Sequence, residues 1–443
     1  MNKPPNILFI MTDQQHAQMM GCAGNRHLRT PAMDQLARDG IRFEKAYCTN
    51  PVCVASRTSM ATGMMPGRLG ANDNGPGMEI GDLPGEVDRQ SLGRAVKAAG
   101  YDTFYGGKVH MCEALHPASA GYDNAGYDEY FPDDREALPA ACLEFVRRER
   151  ERPFFAVASF INPHDICFAH RARNGVDTHG VLELHREAAS LPLDQLPPLP
   201  ENYAVPQGEP AAVEANASTT AVTPSGTMRR EYDERDWRIN RWIYHRLTER
   251  VDRHIGAILD GLREAGLEDD TLVLFASDHG NMDASHRLAS KGFYYDESVG
   301  VPLILKYKKG IPGGRTDRRH PVSTGLDILP TICDYAGVEK PPHLLGESLR
   351  PLAAGERVDQ WRSYVVAENS WFRMLRSSRF KYSVANSTGK TECLVDMEND
   401  RGEMQNLADD PQFRTVLVEH RRLLAEWIEI SADDEGSDYT RNS

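Results

Sequence analysis

Residues 6–12 read NILFIMT, a continuous apolar run closed by the acid Asp13. A strand with one face in water alternates polar and apolar side chains. A strand covered on both faces shows no such alternation, so the unbroken run predicts a central strand of a parallel sheet. Runs of the same kind recur at 154–161 (FFAVASFI), 271–276 (TLVLFA) and 301–305 (VPLIL). Helical patterns lie between them. Thr30, Pro31, Met33, Leu36, Ala37 and Gly40 predict a short helix, with threonine as cap, proline in the first turn and glycine at the end. Ile239, Ile243, Leu247, Val251, Ile255, Ile258 and Leu262 fall three or four apart, predicting a long amphipathic helix that stops near Gly266. Strands alternating with helices predict an α/β fold: a large, mostly parallel sheet with helices on both faces.

The pattern breaks twice. Residues 165–235 contain LPLDQLPPLPENYAVPQGEP and the small polar run NASTTAVTPSGT. The stretch is too long and proline-rich for an ordinary connection, and reads as a long insertion, a functional loop or a flap. After about 355, YVVAEN, FRMLRSSRFKYSV and ECLVDM read as antiparallel strands, followed by a helix from about 411 to 431. The expected division is therefore 1–355 as the catalytic α/β part and 356–443 as a small α+β part with an antiparallel sheet.

Composition narrows the function. The 443 residues carry a formal net charge of −14, with 40% hydrophobic and 26% charged residues. An acidic surface disfavours nucleic acid and anionic membranes as partners, yet leaves room for a locally cationic pocket. No run approaches the roughly 18 apolar residues of a membrane span, and the N-terminal run is too short for a secretion signal. The eight cysteines are scattered without a CxxC pair, which fits free thiols and a cytoplasmic location.

Polar groups gather where the strands end. Asp13 follows the first run, His164 the second, and Asp278-His279 the third. Ligand sites of open α/β sheets lie at the carboxyl ends of strands. The densest motif is CVASRTSMATG at 53–63, a cysteine and an arginine at an expected helix start. Helix N-termini lower thiol pKa and favour anions, although a lone CxxxR is more often structural. Lys108 sits in GGKVH, where two glycines allow close backbone approach. Asn72 and Asn74, in GANDNGPG, read as a glycine-rich surface turn, with contact to substrate as the alternative. Trp371, Phe372 and Arg373 read by default as aromatic core, with a pocket wall from the C-terminal part as the alternative. His16, His286 and Arg287 are candidates for support behind the strand-end motifs.

Taken with its companions, CVASRTSMATG resembles the activation motif of the sulfatase family, Cys-x-Pro/Ala-Ser-Arg followed by Thr-Gly. The resemblance extends along the chain through NILFIMTDQQ (6–15), GYDTFYGGKVH (100–110), INPHD (161–165), ASDHGN (276–281), SKGFYYDESVGVPLIL (290–305) and ECLVDMENDRGEMQNLADDP (392–411). Two departures stand out: Gln14 where many members have a second Asp, and Val109 in place of an aromatic residue. The resemblance implies an alkaline-phosphatase-like fold and conversion of Cys53 to formylglycine by a maturation enzyme. It implies a divalent metal held by Asp13, Gln14, Asp278, His279 and the matured Cys53. Calcium is the expected ion, with magnesium or manganese as alternatives, since a sulfate ester is a hard oxygen-rich anion.

Arg57, Lys108 and Lys291 would then be cations for the sulfate oxygens and the developing charge. His110 and His164 would move protons, and the resemblance favours His164 as acid for the leaving alkoxide. The implied chemistry is covalent: one hydroxyl of the hydrated aldehyde attacks sulfur, the alcohol departs, and the second hydroxyl loses its proton as sulfate is expelled. The expected substrate is a small-molecule or carbohydrate sulfate ester, carbohydrate leading, with choline sulfate or an aryl sulfate as alternatives. A phosphonate or phosphate ester hydrolase of the same superfamily is the rival, and a non-enzymatic binding protein on this fold a distant third. The maturation enzyme is a transient partner, and a homo-oligomer is an open alternative.

Overall fold

The computed structural model describes residues 4–74, 83–118, 124–219, 224–386, 391–433 and 435–440. Its strands are, in chain order, β1 (Asn6–Asp13), β2 (Ile41–Phe43), β3 (Ala46–Tyr47), β4 (Asp102–Gly107), β5 (Glu129–Phe131), β6 (Phe154–Pro163), β7 (Thr271–Ser277), β8 (Leu303–Lys306), β9 (Arg315–Asp317), β10 (Val322–Ser323), β11 (Tyr364–Glu368), β12 (Phe372–Ser377), β13 (Phe380–Ala385) and β14 (Glu392–Asp396). Eight of them form one sheet in the order β5-β4-β6-β1-β7-β8-β2-β9.

The apolar run of β1 has the double burial it predicts. Ile7, Phe9 and Met11 enter one core, while Leu8 and Ile10 enter a second core on the opposite face. In β7, Leu272 and Leu274 join the first core, and Val273 and Phe275 the second. Each fully buried side chain of this size contributes about 1.5–3 kcal/mol, so β1 is fixed in register from both sides. It pairs parallel with β6, Phe9 opposite Val157, and parallel with β7, Phe9 opposite Leu274. Helix Glu234–Glu264 packs Val251, Ile255, Ile258 and Leu262 into the second core. The first core takes Ile328, Leu329 and Ile332 of helix Thr324–Ala336.

Several local expectations need correction. β8 runs antiparallel to β7 and β2, so the VPLIL run marks burial, not direction. β4 has no continuous apolar run, because it ends in Gly106-Gly107, yet it pairs parallel with β6 over six residues, Asp102 to Gly107. Thr30 does not cap helix Pro31–Asp39 through its own side chain. Its Oγ1 accepts from Gly21 N–H at 2.8 Å, and Asp252 of the long helix accepts from Ala32 N–H (3.1 Å) and Met33 N–H (2.9 Å) instead. Residues 165–235 are no bare loop. They hold helices Ala169–Arg173, Val181–Ser190, Ala211–Thr219 and Ser225–Glu231, and Val181, Ala188 and Leu196 pack with Ile239, Ile243 and Leu247 of the long helix. Residues 220–223 of the small polar run, and the Gly75–Gly77 end of GANDNGPG, lie outside the described residues.

At the C-terminal end, β11–β14 form an antiparallel sheet. Helix Arg414–Ser431 covers it, with Leu417, Leu424 and Ile428 packed against Leu375, Tyr382, Val384 and Leu394. No helix among the described residues is long and apolar enough to cross a membrane.

Candidate active site

Four adjacent strands deliver chemistry to one rim. In the order β4-β6-β1-β7, their carboxyl ends are followed or closed by Lys108, His164, Asp13 and Asp278. The rim is met by helix Cys53–Thr62, which starts on Cys53 itself. Its N-cap residue, Val52, has no side-chain acceptor, and Asn74 fills that role by accepting from Val54 N–H at 2.9 Å. Asn74 thus holds the start of this helix.

Arg57 ties the rim together. Its side chain is fully buried, and it donates from Nε to Asp278 Oδ2 at 2.7 Å and from a terminal nitrogen to Asp13 Oδ2 at 2.9 Å. The other terminal nitrogen donates to Lys108 O and Ser159 Oγ, each at 2.9 Å. Arg57, expected among the sulfate-binding cations, uses four of its five N–H donors on this clamp. Ser159 and Tyr105 complete it by donating to Lys108 O at 2.6 and 2.8 Å.

Two other cations flank the cysteine. Lys291 Nζ lies 2.9 Å from Cys53 Sγ, and Lys108 Nζ lies 3.7 Å from it and 2.5 Å from Asp13 Oδ2. His279 Nε2 is 3.2 Å from the same sulfur. Burial and Asp13 push the Cys53 thiol up, but Lys108, Lys291 and His279 outweigh them and hold it well below the usual thiol range. Cys142, equally buried but without such neighbours, is pushed up to about 12. Lys291 is raised because Cys53 and Asp13 overcome its desolvation.

Asp13, Cys53, Asp278 and His279 place one ligand atom each within 4.8 Å of one another, all buried. Their chemistry fits a divalent cation. His279 Nδ1 faces Gly280 O at 2.9 Å, which makes it the donor and leaves the Nε2 lone pair toward the cluster. Burial and the neighbouring Asp13 raise Asp278, a repulsion that a bound cation would relieve. Asp13 itself is well below the carboxylate range: burial opposes this, and Lys108, His164, Arg57 and Lys291 overcome it.

The remaining candidates divide. His164 sits within the field of Lys291, Lys108, Asp13 and Cys53, and burial together with the two lysines lowers its pKa well below the usual histidine value. His110 is exposed, with φ of 46°, and no hydrogen bond ties it to the cluster. Gln14 has φ of 65°. Its backbone N–H donates to Asp278 Oδ1 (3.1 Å), its amide nitrogen donates to Asn281 Oδ1 (3.0 Å), and its amide oxygen accepts from Cys167 Sγ (3.2 Å). The amide oxygen expected on the metal keeps a second lone pair beside the thiol bond, so Gln14 remains a candidate ligand.

Trp371 donates from its indole to Gly292 O at 3.0 Å, bracing the Lys291 loop, whereas Phe372 and Arg373 are buried. Arg373 pairs with Asp433 at 2.6 and 3.0 Å instead of walling a pocket. His16 lies 3.8 Å from Asp283, and His286 stacks on Tyr295 at 3.9 Å. Sequence reasoning passed over Ser159 and Asn281, which sit inside quoted segments, and Cys167, two residues past INPHD; none carries a spacing signal of its own.

Residues 5–338 match the sulfatase family, and residues 284–429 match the family described as N-sulphoglucosamine sulphohydrolase, C-terminal. The chain belongs to the sulfatase family, enzymes that hydrolyse sulfate esters. Among its relatives is a Delta 4,5-hexuronate-2-O-sulfatase of Bacteroides thetaiotaomicron, 30% identical, with 97% of this chain and 90% of that protein covered. A solved structure of a 2-O GAG sulfatase superposes with a TM-score of 0.83 at 26% identity, covering 98% of this chain and 94% of the other. A phosphonate monoester hydrolase of Agrobacterium radiobacter shares the fold at 20% identity, with a TM-score of 0.74 and 96% of each chain covered.

Proposed function

We propose that this sulfatase removes sulfate from a carbohydrate sulfate ester, with residue 53 acting as formylglycine after maturation by a dedicated enzyme. The observation that carries the reading is the pair of ammonium groups on Cys53: Lys291 at 2.9 Å and Lys108 at 3.7 Å from Sγ. Sγ stands where the matured oxygen nucleophile would be. A tetrahedral sulfate brought to that atom meets both cations, which stabilise its oxygens and the charge that grows on them. Substrates of the hexuronate-2-O-sulfatase and GAG sulfatase relatives support a sugar as the alcohol.

Asp13, Gln14, Asp278, His279 and the matured residue 53 would hold a divalent metal, calcium by preference for hard oxygen donors, with magnesium or manganese as alternatives. When bound, it supplies a Lewis acid that polarises a sulfate oxygen. Arg57 keeps the two acids apart and oriented. His164 is the group proposed to protonate the leaving alkoxide, and His110, exposed at the rim, the group to help hold or deprotonate the diol. His164 must carry a proton in order to donate one, and an incoming anion beside Lys108 and Lys291 would favour its uptake.

The rival, a phosphonate ester hydrolase, is served by the same fold. The test compares kcat/KM for one aryl group carried as sulfate ester and as phosphonate monoester. The protein is co-expressed with a maturation enzyme, conversion of Cys53 is read by peptide mass, and Cys53→Ala serves as blank. A sulfate preference that vanishes in the variant is the expected outcome; a phosphonate preference overturns the reading.

A further inference from the structure

The turn that carries His164 is held from two sides. It is a 3₁₀ turn, His164–Phe168, directly after β6. On one side Cys167 donates its thiol to Gln14 Oε1 at 3.2 Å. On the other, Arg135 donates from Nε to Asp165 Oδ2 and from a terminal nitrogen to Asp165 Oδ1, both at 2.9 Å. Asp165 is fully buried and Arg135 is 22% exposed at the side chain. Parallel bonds of this kind fix direction as well as distance. Arg135 is itself anchored, because Asp134 Oδ1 beside it accepts from Glu136 N–H and Ala137 N–H at 3.0 and 2.9 Å.

The imidazole of His164, by contrast, has nothing of its own to hold it. Its Nδ1 is buried without a partner, and no hydrogen bond to the ring is formed among the described residues. Phe168 offers only an edge contact, with ring centroids 6.4 Å apart. The place of the ring is therefore set by the turn that carries it, and the turn is held where the Asp165 carboxylate is gripped.

We infer that Arg135 and Asp165 are positioning residues for the leaving-group acid: their two-bond pair aims His164 at the oxygen of the departing alcohol. The inference rests on the reading of His164 as that acid. It makes a prediction that a purely structural ion pair does not. An acid matters most when the alcohol is a poor leaving group and least when the alcohol leaves as a stable anion. Weakening the pair should therefore damage turnover selectively.

The experiment measures kcat/KM of the matured, metal-loaded enzyme over aryl sulfates running from 4-nitrophenyl to 4-methoxyphenyl. Arg135→Lys keeps the charge and loses the two-bond geometry. Arg135→Gln/Asp165→Asn removes both charges together, so that no buried carboxylate is left unpaired if the single variant folds poorly. Both are expected to keep 4-nitrophenyl sulfate turnover within about twofold and to lose about tenfold or more on 4-methoxyphenyl sulfate, a fraction of what a general acid supplies. His164→Ala should show the same steepened dependence more strongly. Equal losses across the series in the Arg135 variants, with a steepened slope in His164→Ala, overturn the positioning role alone. A slope unchanged in His164→Ala removes the acid itself, and the inference falls with it.

Discussion

Gly107 closes β4 with φ of 93°, and a Cβ there would lie 2.0 Å from Ser159 O. The same carbonyl accepts from Lys108 N–H at 2.9 Å, so the glycine is what lets the lysine's backbone dock on β6. Gly107→Ala must push the strands apart and carry Lys108 Nζ away from Cys53. A displacement near 1 Å at a reacting centre costs about a hundredfold in rate, and that is the expected loss in kcat/KM. The check is steady-state kinetics beside a thermal melt, because a folded, matured variant with unchanged turnover would mean that Lys108 does not act where it lies. Single residues were unevenly legible. Asp13, Cys53, Lys108, Asp278 and His279 announce themselves by sitting at strand ends or in motifs. The clamp role of Arg57 does not, since its four partners come from positions 13, 108, 159 and 278.

Elements here are finished by side chains from elsewhere in the chain. Helix Cys53–Thr62 has a valine at its N-cap and takes its acceptor from Asn74. Helix Pro31–Asp39 takes two acceptors from Asp252, more than two hundred residues away in sequence. A cap substitution costs about 0.5–2 kcal/mol, and Asp252 serves two N–H groups in a buried setting, so Asp252→Ala belongs near the top of that range. The expected result is a lower denaturation midpoint with kcat nearly unchanged, since the helix supports β1 from the face away from Cys53; thermal and denaturant melts alongside turnover test it. Thr30 carries the textual signature of a cap, but its hydroxyl is better used on Gly21 N–H. In the same way, the prolines of 165–235 suggest loop, whereas apolar positions such as Val181 and Ala188 find a surface on the long helix and form helices there.

Across the whole molecule, deep burial of histidines builds in an acid limit. His245 and His286 are fully buried, and desolvation lowers both to about 3. The sign follows from proton counting: between the ordinary histidine value near 6.5 and about 3, the unfolded chain binds protons that the folded one refuses. Stability is therefore complete above about 6.5 and lost as pH falls, by about 1.4 kcal/mol per pH unit for each histidine. Thermal melts from pH 7 to 4 should show this slope, and His245→Leu should flatten it by one histidine's share; an unaltered slope would show that His245 finds a partner in the folded protein. At this scale, too, the division between sequence and tertiary structure is clear. The α/β class, the central buried strands, the long helix, the C-terminal antiparallel sheet and the motif residues were determined by the sequence itself. Apolar periodicity and strand-end polarity are local properties that every few residues declare. The neighbourhood β4-β6-β1-β7, the reversed direction of β8, the engaged amide of Gln14 and the grip of Arg135 on Asp165 were decided only by the tertiary structure. Each depends on contacts between segments far apart in the chain, and those contacts are chosen by which faces can be buried together, a competition that no single segment records.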